Sequence, residues 1–213
     1  MARGECESRR AVDRADGVKL NKLLDQGPIV VAIAGPNGAG KSSYFETHLA
    51  EAALAFVNAD VLAKSLSIDA YAAASLADDL RRQMVQRRES FVFETVLSDP
   101  VGDKLEFLKT AEKAGYFVFL IFIGVGDSEL SSDRVAMRVL KGGHDVPEDK
   151  LRERYPRIMA NLKRALVEIA NVWVYDHSDL DQGYRLVATR ENRQDAELHG
   201  PTPSWLSPLL PKG

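Results

Sequence analysis

A single cysteine, Cys6, stands among 213 residues, which excludes an internal disulfide framework and any cysteine-rich zinc site. No long hydrophobic run is present. The most apolar stretch, Phe117 to Val125, falls far short of the roughly 20 residues a membrane-spanning helix needs. A charged-then-apolar start with a cleavage site is also missing, so the expected location is cytoplasmic, away from membranes. The four histidines, His48, His144, His177 and His199, lack metal-ligand spacing and read as surface or turn residues, with His144 the exception. Charge of one sign does not dominate: 28 Lys and Arg face 31 Asp and Glu, a net charge of -3. That balance argues against a protein that coats long nucleic acid, and no aromatic-and-basic stripe argues for one. Trp173 and Tyr175 alternate on one strand face and read as core. With no repeat and no low-complexity block, 45% hydrophobic and 28% charged residues describe an ordinary globular α/β domain with modest extensions.

The chain divides into a polar extension over 1–27, a folded domain over 28–192 and an irregular surface tail over 193–213. In the domain, Ile29–Ala34 is a continuous apolar, β-branched run, the signature of a strand buried on both faces. Short strands follow at 55–57 and 91–93, a longer one at 116–124, a fifth at 172–175, and an edge segment at 184–188. Helices are predicted over 41–53, 69–88, 101–114, 127–140 and 147–169, the last kinked or split by Pro156. Strands alternating with helices imply a parallel sheet of about five strands flanked by helices. Ligands of such sheets bind outside the carboxyl ends of the strands, which makes Gly35, Asp60, Glu94 and the residues after Gly124 neighbours.

Between the first strand and its helix, Gly35-Pro36-Asn37-Gly38-Ala39-Gly40-Lys41-Ser42 fits G-x-x-x-x-G-K-[ST] at every fixed position. The strand–turn–helix context is the one the mechanism requires. Its glycines let backbone amides approach phosphate oxygens, Lys41 would reach the β- and γ-phosphates, and Ser42, beside Ser43, would offer its hydroxyl to Mg²⁺. The motif predicts a nucleoside triphosphate site.

Carboxylates around that loop would choose the reaction. Asp60, just past the second strand, can accept a hydroxyl proton as general base or hold the metal's water shell; it can equally cap the helix that follows. Glu94 ends the third strand beside Thr95 and can organise Mg²⁺ or bind an acceptor, or be a solvated strand end. Arg134, Arg138 and Lys141 share one helix face and lead to Gly142-Gly143-His144, with Arg152, Arg154 and Arg157 beyond. Beside a phosphate loop these form a candidate helical lid, in which Arg138 is the foremost candidate to neutralise the moving phosphoryl group; otherwise they are solvated faces.

The segments AGPNGAGKSS, FVNAD, ESFVFETVLS, AGYFVFLIF and RVAMRVLKGGHDVPEDKLRERYPRIMANL together resemble the zeta-toxin-like family of P-loop kinases, over about Ile29 to Ser178. The resemblance implies a nucleotide-kinase-like P-loop fold and ATP-dependent transfer of phosphate to a hydroxyl, in the better-known toxins that of UDP-N-acetylglucosamine. It also implies Lys41 and Ser42 as loop lysine and metal-contacting hydroxyl, Asp60 as base, Glu94 as the acid holding the acceptor, and Arg138 as a phosphate contact. The family's second phosphate-contacting arginine has no counterpart at its place. His144 stands nearest, and Arg154 or Arg157 could substitute from the next helix. An antitoxin partner is part of the same expectation. The alternatives are an ATP-binding toxin-like protein whose output is protein binding, and a kinase of nucleotides or nucleic-acid ends.

Overall fold

A computed structural model describes residues 27–140 and 146–210. The N-terminal extension through residue 26 and the Gly142-Gly143-His144 turn lie outside them. Strands β1 (Ile29–Ala34), β2 (Ala55–Val57), β3 (Phe91–Thr95), β4 (Phe117–Gly124), β5 (Val172–Asp176), β6 (Arg185–Arg190) and β7 (Glu197–Leu198) form a single sheet in the order β2-β3-β1-β4-β5-β6-β7. The first five are parallel; β6 and β7 add antiparallel at one edge.

The sheet therefore has seven strands, a correction to the five expected. The edge segment expected at 184–188 is β6, two residues longer at its end, and β7 is too short and exposed for apolar periodicity to reveal. Arg-Leu-Val-Ala-Thr-Arg of β6 buries only part of its length, and β7 contributes two exposed residues.

All six residues of β1 are buried, and the strand period of two sends them alternately to two cores. Val30, Ala32 and Ala34 meet Phe91, Phe93, Leu105, Leu108, Ile158 and Leu162 on one face. Ile29, Val31 and Ile33 meet Tyr44, Leu49, Phe119 and Trp173 on the other. The first face is covered by α3 (Ala70–Gln86), α4 (Asp103–Lys113) and α6 (Glu148–Glu168), the second by α1 (Lys41–Tyr44) and the turns that continue it. Those turns open into a π-helical segment at Phe45–Leu49 and a 3₁₀ turn at Ala50–Ala52, so the helix expected over 41–53 is wound three ways. The remaining helices are α2 (Ala59–Leu66) and α5 (Ser128–Leu140).

Pro156 does not divide α6, which runs unbroken over 21 residues. The missing amide is offset by packing on both sides of it. Leu151, Ile158, Met159 and Leu162 are buried, and the Tyr155 hydroxyl donates to the Val125 carbonyl at 2.9 Å.

The tail is also more than surface chain. Leu206 is fully buried and Trp205 nearly so. The indole lies over Gly124, where a Cβ would collide with its ring, and its Nε1 donates to Asp176 Oδ1 at 3.1 Å.

Candidate active site at the phosphate loop

Parallel pairing puts β1 between β3 and β4, so the chain leaves β1 at the point where connections diverge to either side, where α/β sheets open a crevice. Gly35 begins the loop there. A Cβ on it would strike the Ile123 carbonyl, so the close approach of β1's end to β4 requires glycine. Gly40 closes the loop with φ of 93°, immediately before α1, and a Cβ on it would lie 2.8 Å from the Tyr184 hydroxyl and 2.9 Å from His177 Nδ1.

The loop is clamped from beneath. His177 Nδ1 bonds the Ala39 carbonyl at 2.7 Å, and the Tyr184 hydroxyl donates to the Gly40 carbonyl at 2.7 Å. The two rings stack at 4.1 Å. The Ser131 hydroxyl of α5 donates to the Asn37 carbonyl at 2.7 Å. Burial, with Arg134 adding to it, lowers the His177 pKa below its ordinary value; burial, against the opposing pull of Arg134, raises that of Tyr184 to about 12, so both rings are neutral at pH 7. His177, read from sequence as a surface or turn residue, is in fact buried under the loop. Its position just after β5 was the available signal, by the same rule that singled out Asp60 and Glu94.

Lys41 is 6% exposed. Its Nζ donates to the Pro36 carbonyl at 2.9 Å and lies 3.7 Å from Glu94 Oε1. Register explains Glu94: it pairs with Ile33 across β1 and follows Phe93, which pairs with Val57 of β2. Its other oxygen, Oε2, accepts from the Ser42 hydroxyl at 2.7 Å and from Asn58 Nδ2 at 2.8 Å. Asn58 is also the N-cap of α2, its Oδ1 accepting from the Asp60 and Val61 amides. The cap expected of Asp60 thus belongs to Asn58, and Asp60 sits in the first turn with its side chain exposed.

Two cavities meet at Glu94. One, of about 410 Å³, follows the loop past Gly38, Lys41, Ser42 and Ser43 and ends against Met137 and Leu180. The other, of about 160 Å³, is lined by Asn58, Asp60, Glu94, Thr95, Arg81 and Lys104. Lys41, Ser42, Asp60, Glu94 and Thr95 are therefore brought together.

Of the lid candidates, Arg134 lines the loop cleft but is buried, donating to the His177 carbonyl at 2.6 Å and the Ser178 carbonyl at 2.9 Å. It joins α5 to the segment after β5. Arg138 lies one turn further along α5, with its side chain outside the described residues, as is His144. Arg157 pairs with Glu153. Neither Arg154 nor Arg157 lines the two cavities.

The residues present suit Mg²⁺. Ser42 and Glu94 converge as a hydroxyl and a carboxylate, hard oxygen donors of the kind that ion takes together with substrate phosphates. Among the described residues no cluster of three or more His, Cys, Asp or Glu side chains could hold a metal. Asn37 Oδ1 is buried in the loop without a hydrogen-bond partner, a polar atom left over in a cradle otherwise tightly bonded.

The sequence model of the family described as Zeta toxin matches residues 57–186. The chain belongs to the zeta toxin family. The match starts after the phosphate loop, so the loop stands on its own motif and geometry. An uncharacterized protein of Haemophilus influenzae is 28% identical over 126 residues, 57% of this chain and 88% of that protein. Among solved structures, AvrRxo1-ORF1:-ORF2 with ATP aligns at 18% identity over 93% of this chain and 69% of that one, with a TM-score of 0.57. The PezAT chromosomal toxin–antitoxin system of Streptococcus pneumoniae aligns at 15% identity over 81% of this chain and 79% of that one, with a TM-score of 0.54. At these identities the likeness is one of fold. This zeta toxin family member has a mixed α/β fold, a parallel-dominated sheet flanked by helices with the phosphate loop after its first strand, and no described helix is long and apolar enough to cross a membrane.

Proposed function

We propose that the protein is an ATP-dependent phosphotransferase that moves the γ-phosphate to a hydroxyl of a small molecule. The observation that carries this reading is the double position of Glu94, which borders the phosphate-loop cleft on one side and the Asp60 cavity on the other. Phosphoryl transfer requires donor and acceptor held in line at such a junction.

In this mechanism ATP lies along Gly35, Pro36, Asn37, Gly38, Ala39, Gly40, Lys41, Ser42 and Ser43, its nucleoside toward Met137 and Leu180. Lys41 exchanges the Pro36 carbonyl for phosphate oxygens, a stronger charge-assisted bond. Ser42, with Glu94 beside it, would hold Mg²⁺, which when bound would neutralise charge on the phosphates. Glu94 and Thr95 orient the acceptor, and Asp60 accepts the proton its hydroxyl loses. Arg138, completed by His144, Arg154 or Arg157, stabilises charge on the moving group. UDP-N-acetylglucosamine is the first acceptor to try, because the family resemblance points to it. A protein partner in the manner of an antitoxin belongs to the proposal too, since PezAT is a toxin–antitoxin system.

The test is γ-labelled ATP with Mg²⁺ and purified protein, offered UDP-N-acetylglucosamine and a mixed metabolite extract, with Lys41→Ala as blank. Label in an organic product absent from the blank supports transfer to a hydroxyl and identifies the acceptor. Label in free phosphate alone, across both acceptor sources, overturns it.

A further inference from the structure

Three side chains hold the phosphate loop from outside it, and the proposed chemistry gives them no part. The Ser131 hydroxyl of α5 donates to the Asn37 carbonyl, His177 Nδ1 to that of Ala39 and the Tyr184 hydroxyl to that of Gly40, each at 2.7 Å. A carbonyl only accepts, so the proton of neutral His177 sits on Nδ1. The three come from 94, 138 and 144 residues further along the chain, and each is itself fixed. Ser131 and His177 are buried, and Arg134, on the same helix as Ser131, donates to the His177 and Ser178 carbonyls. Tyr184 stacks on His177 and meets the Tyr44 ring edge to face at 5.1 Å. α5 packs so close that a Cβ on Gly38 would lie 2.9 Å from both the Arg134 Cβ and the Ser131 carbonyl oxygen.

The three carbonyls belong to the peptide groups that carry the amides of Gly38, Gly40 and Lys41. The described peptide bonds are trans, and in a planar trans peptide C=O and N–H point opposite ways. Drawing the Asn37, Ala39 and Gly40 carbonyls toward α5 and the β5–β6 connection therefore turns the next amide, in each case, away from those side chains. Gly38, Gly40 and Lys41 all line the loop cleft. Among the described residues neither the Gly38 nor the Gly40 amide donates to a backbone carbonyl, which leaves both for an anion there. Gly35, Gly38 and Gly40 also give the loop unusual backbone freedom. A flipped peptide would put a carbonyl oxygen where a phosphate oxygen belongs, and the three bonds oppose such flips.

We infer that Ser131, His177 and Tyr184 are positioning residues for the phosphate chain: by holding three loop carbonyls outward, they preset the Gly38, Gly40 and Lys41 amides for the anion. Donors oriented in advance need no reorganisation when charge arrives. The inference deepens the proposed function and rests on it for the loop's occupant, a nucleoside triphosphate. The three side chains act through the loop backbone.

The experiment measures, by calorimetry with Mg²⁺, the affinity of the full chain for the non-hydrolysable analogue AMP-PNP and separately for pyrophosphate, which fills the loop without a nucleoside. Tyr184→Phe and Ser131→Ala each delete one hydroxyl. Each should weaken both ligands by the same factor, about three- to tenfold, the scale of one hydrogen bond. His177→Leu should do the same, and His177→Asn, whose amide nitrogen can stand in for Nδ1, should restore most of the affinity. A role in folding alone would move the urea midpoint and leave the affinity of the folded protein unchanged. The hydroxyl deletions keep the test open if His177→Leu does not fold. Unchanged affinity in Tyr184→Phe and Ser131→Ala overturns the inference, as does a loss confined to AMP-PNP, which would put the effect at the nucleoside. An unmodified protein that binds neither ligand overturns it together with the phosphotransferase reading. ATP that binds with these losses in the variants but is only hydrolysed overturns transfer to an acceptor and still supports the positioning role.

Discussion

The Ser42 hydroxyl and Glu94 Oε2 lie 2.7 Å apart, although 52 residues separate them in sequence. This one bond ties the start of α1 to the end of β3 and joins the two cavities of the site. Adjacent parallel strands put it there: β1 delivers the loop, β3 delivers the carboxylate, and both end on the same side of the sheet.

If these two side chains hold one metal, their substitutions should not add. Glu94→Gln and Ser42→Ala should each lower apparent Mg²⁺ affinity or turnover about 10–100-fold, as loss of a metal's supporting group does. The double variant should fall short of the product of the two, which a double-mutant cycle on Mg²⁺ titrations would show. Additive losses would separate their roles.

His177 makes stability depend on pH. Its pKa is below the ordinary 6.5, first through burial, so the unfolded chain binds a proton more readily than the folded one. The stabilisation from neutral His177 is complete above pH 6.5 and is lost as pH falls from there through the lower folded-state value. The urea midpoint should drop between pH 7.5 and 5. His177→Gln, which keeps a polar partner for the Ala39 carbonyl, should flatten that drop.

Trp205 holds the tail to the end of β4. Trp205→Ala leaves a void over Gly124 and removes the bond to Asp176, a carboxyl that burial pushes up but that bonds from Ser178, Trp205 and Arg185 hold low. The expected loss is about 3–5 kcal/mol of stability, the range for truncating a buried tryptophan, measured by urea denaturation. A change below about 1 kcal/mol would mean that the tail adds little to the core.

The parallel core could be read from the chain because strands buried on both faces leave no room for polar residues. Ile29–Ala34 and Phe117–Gly124 announce themselves. So did the loop, whose glycines answer to backbone crowding and whose residues are contiguous. Less legible was whatever depends on partners distant in sequence. β7 forms because β6 offers it an edge, and the helix around Pro156 is carried by the Tyr155 bond to the Val125 carbonyl and by buried neighbours. The Asp60 cap was misread by two positions because Asn58, still written like the end of a strand in FVNAD, supplies the side-chain oxygen. Arg81 was passed over because an arginine in a helix gives no sign of facing Phe93 and Phe107 until the sheet is assembled.

The most direct test of the account is the single-turnover rate of phosphoryl transfer by Asp60→Asn, with labelled ATP and the acceptor that the labelling experiment yields, alongside ATP affinity. Asp60 is exposed in the cavity and makes no cap, so the variant should fold and bind ATP as the parent does. Its transfer rate should fall about 10²–10⁴-fold, the contribution of a general base. Transfer at the parental rate, with ATP bound equally well, would contradict the assignment of Asp60 and with it the proposed geometry of the reaction.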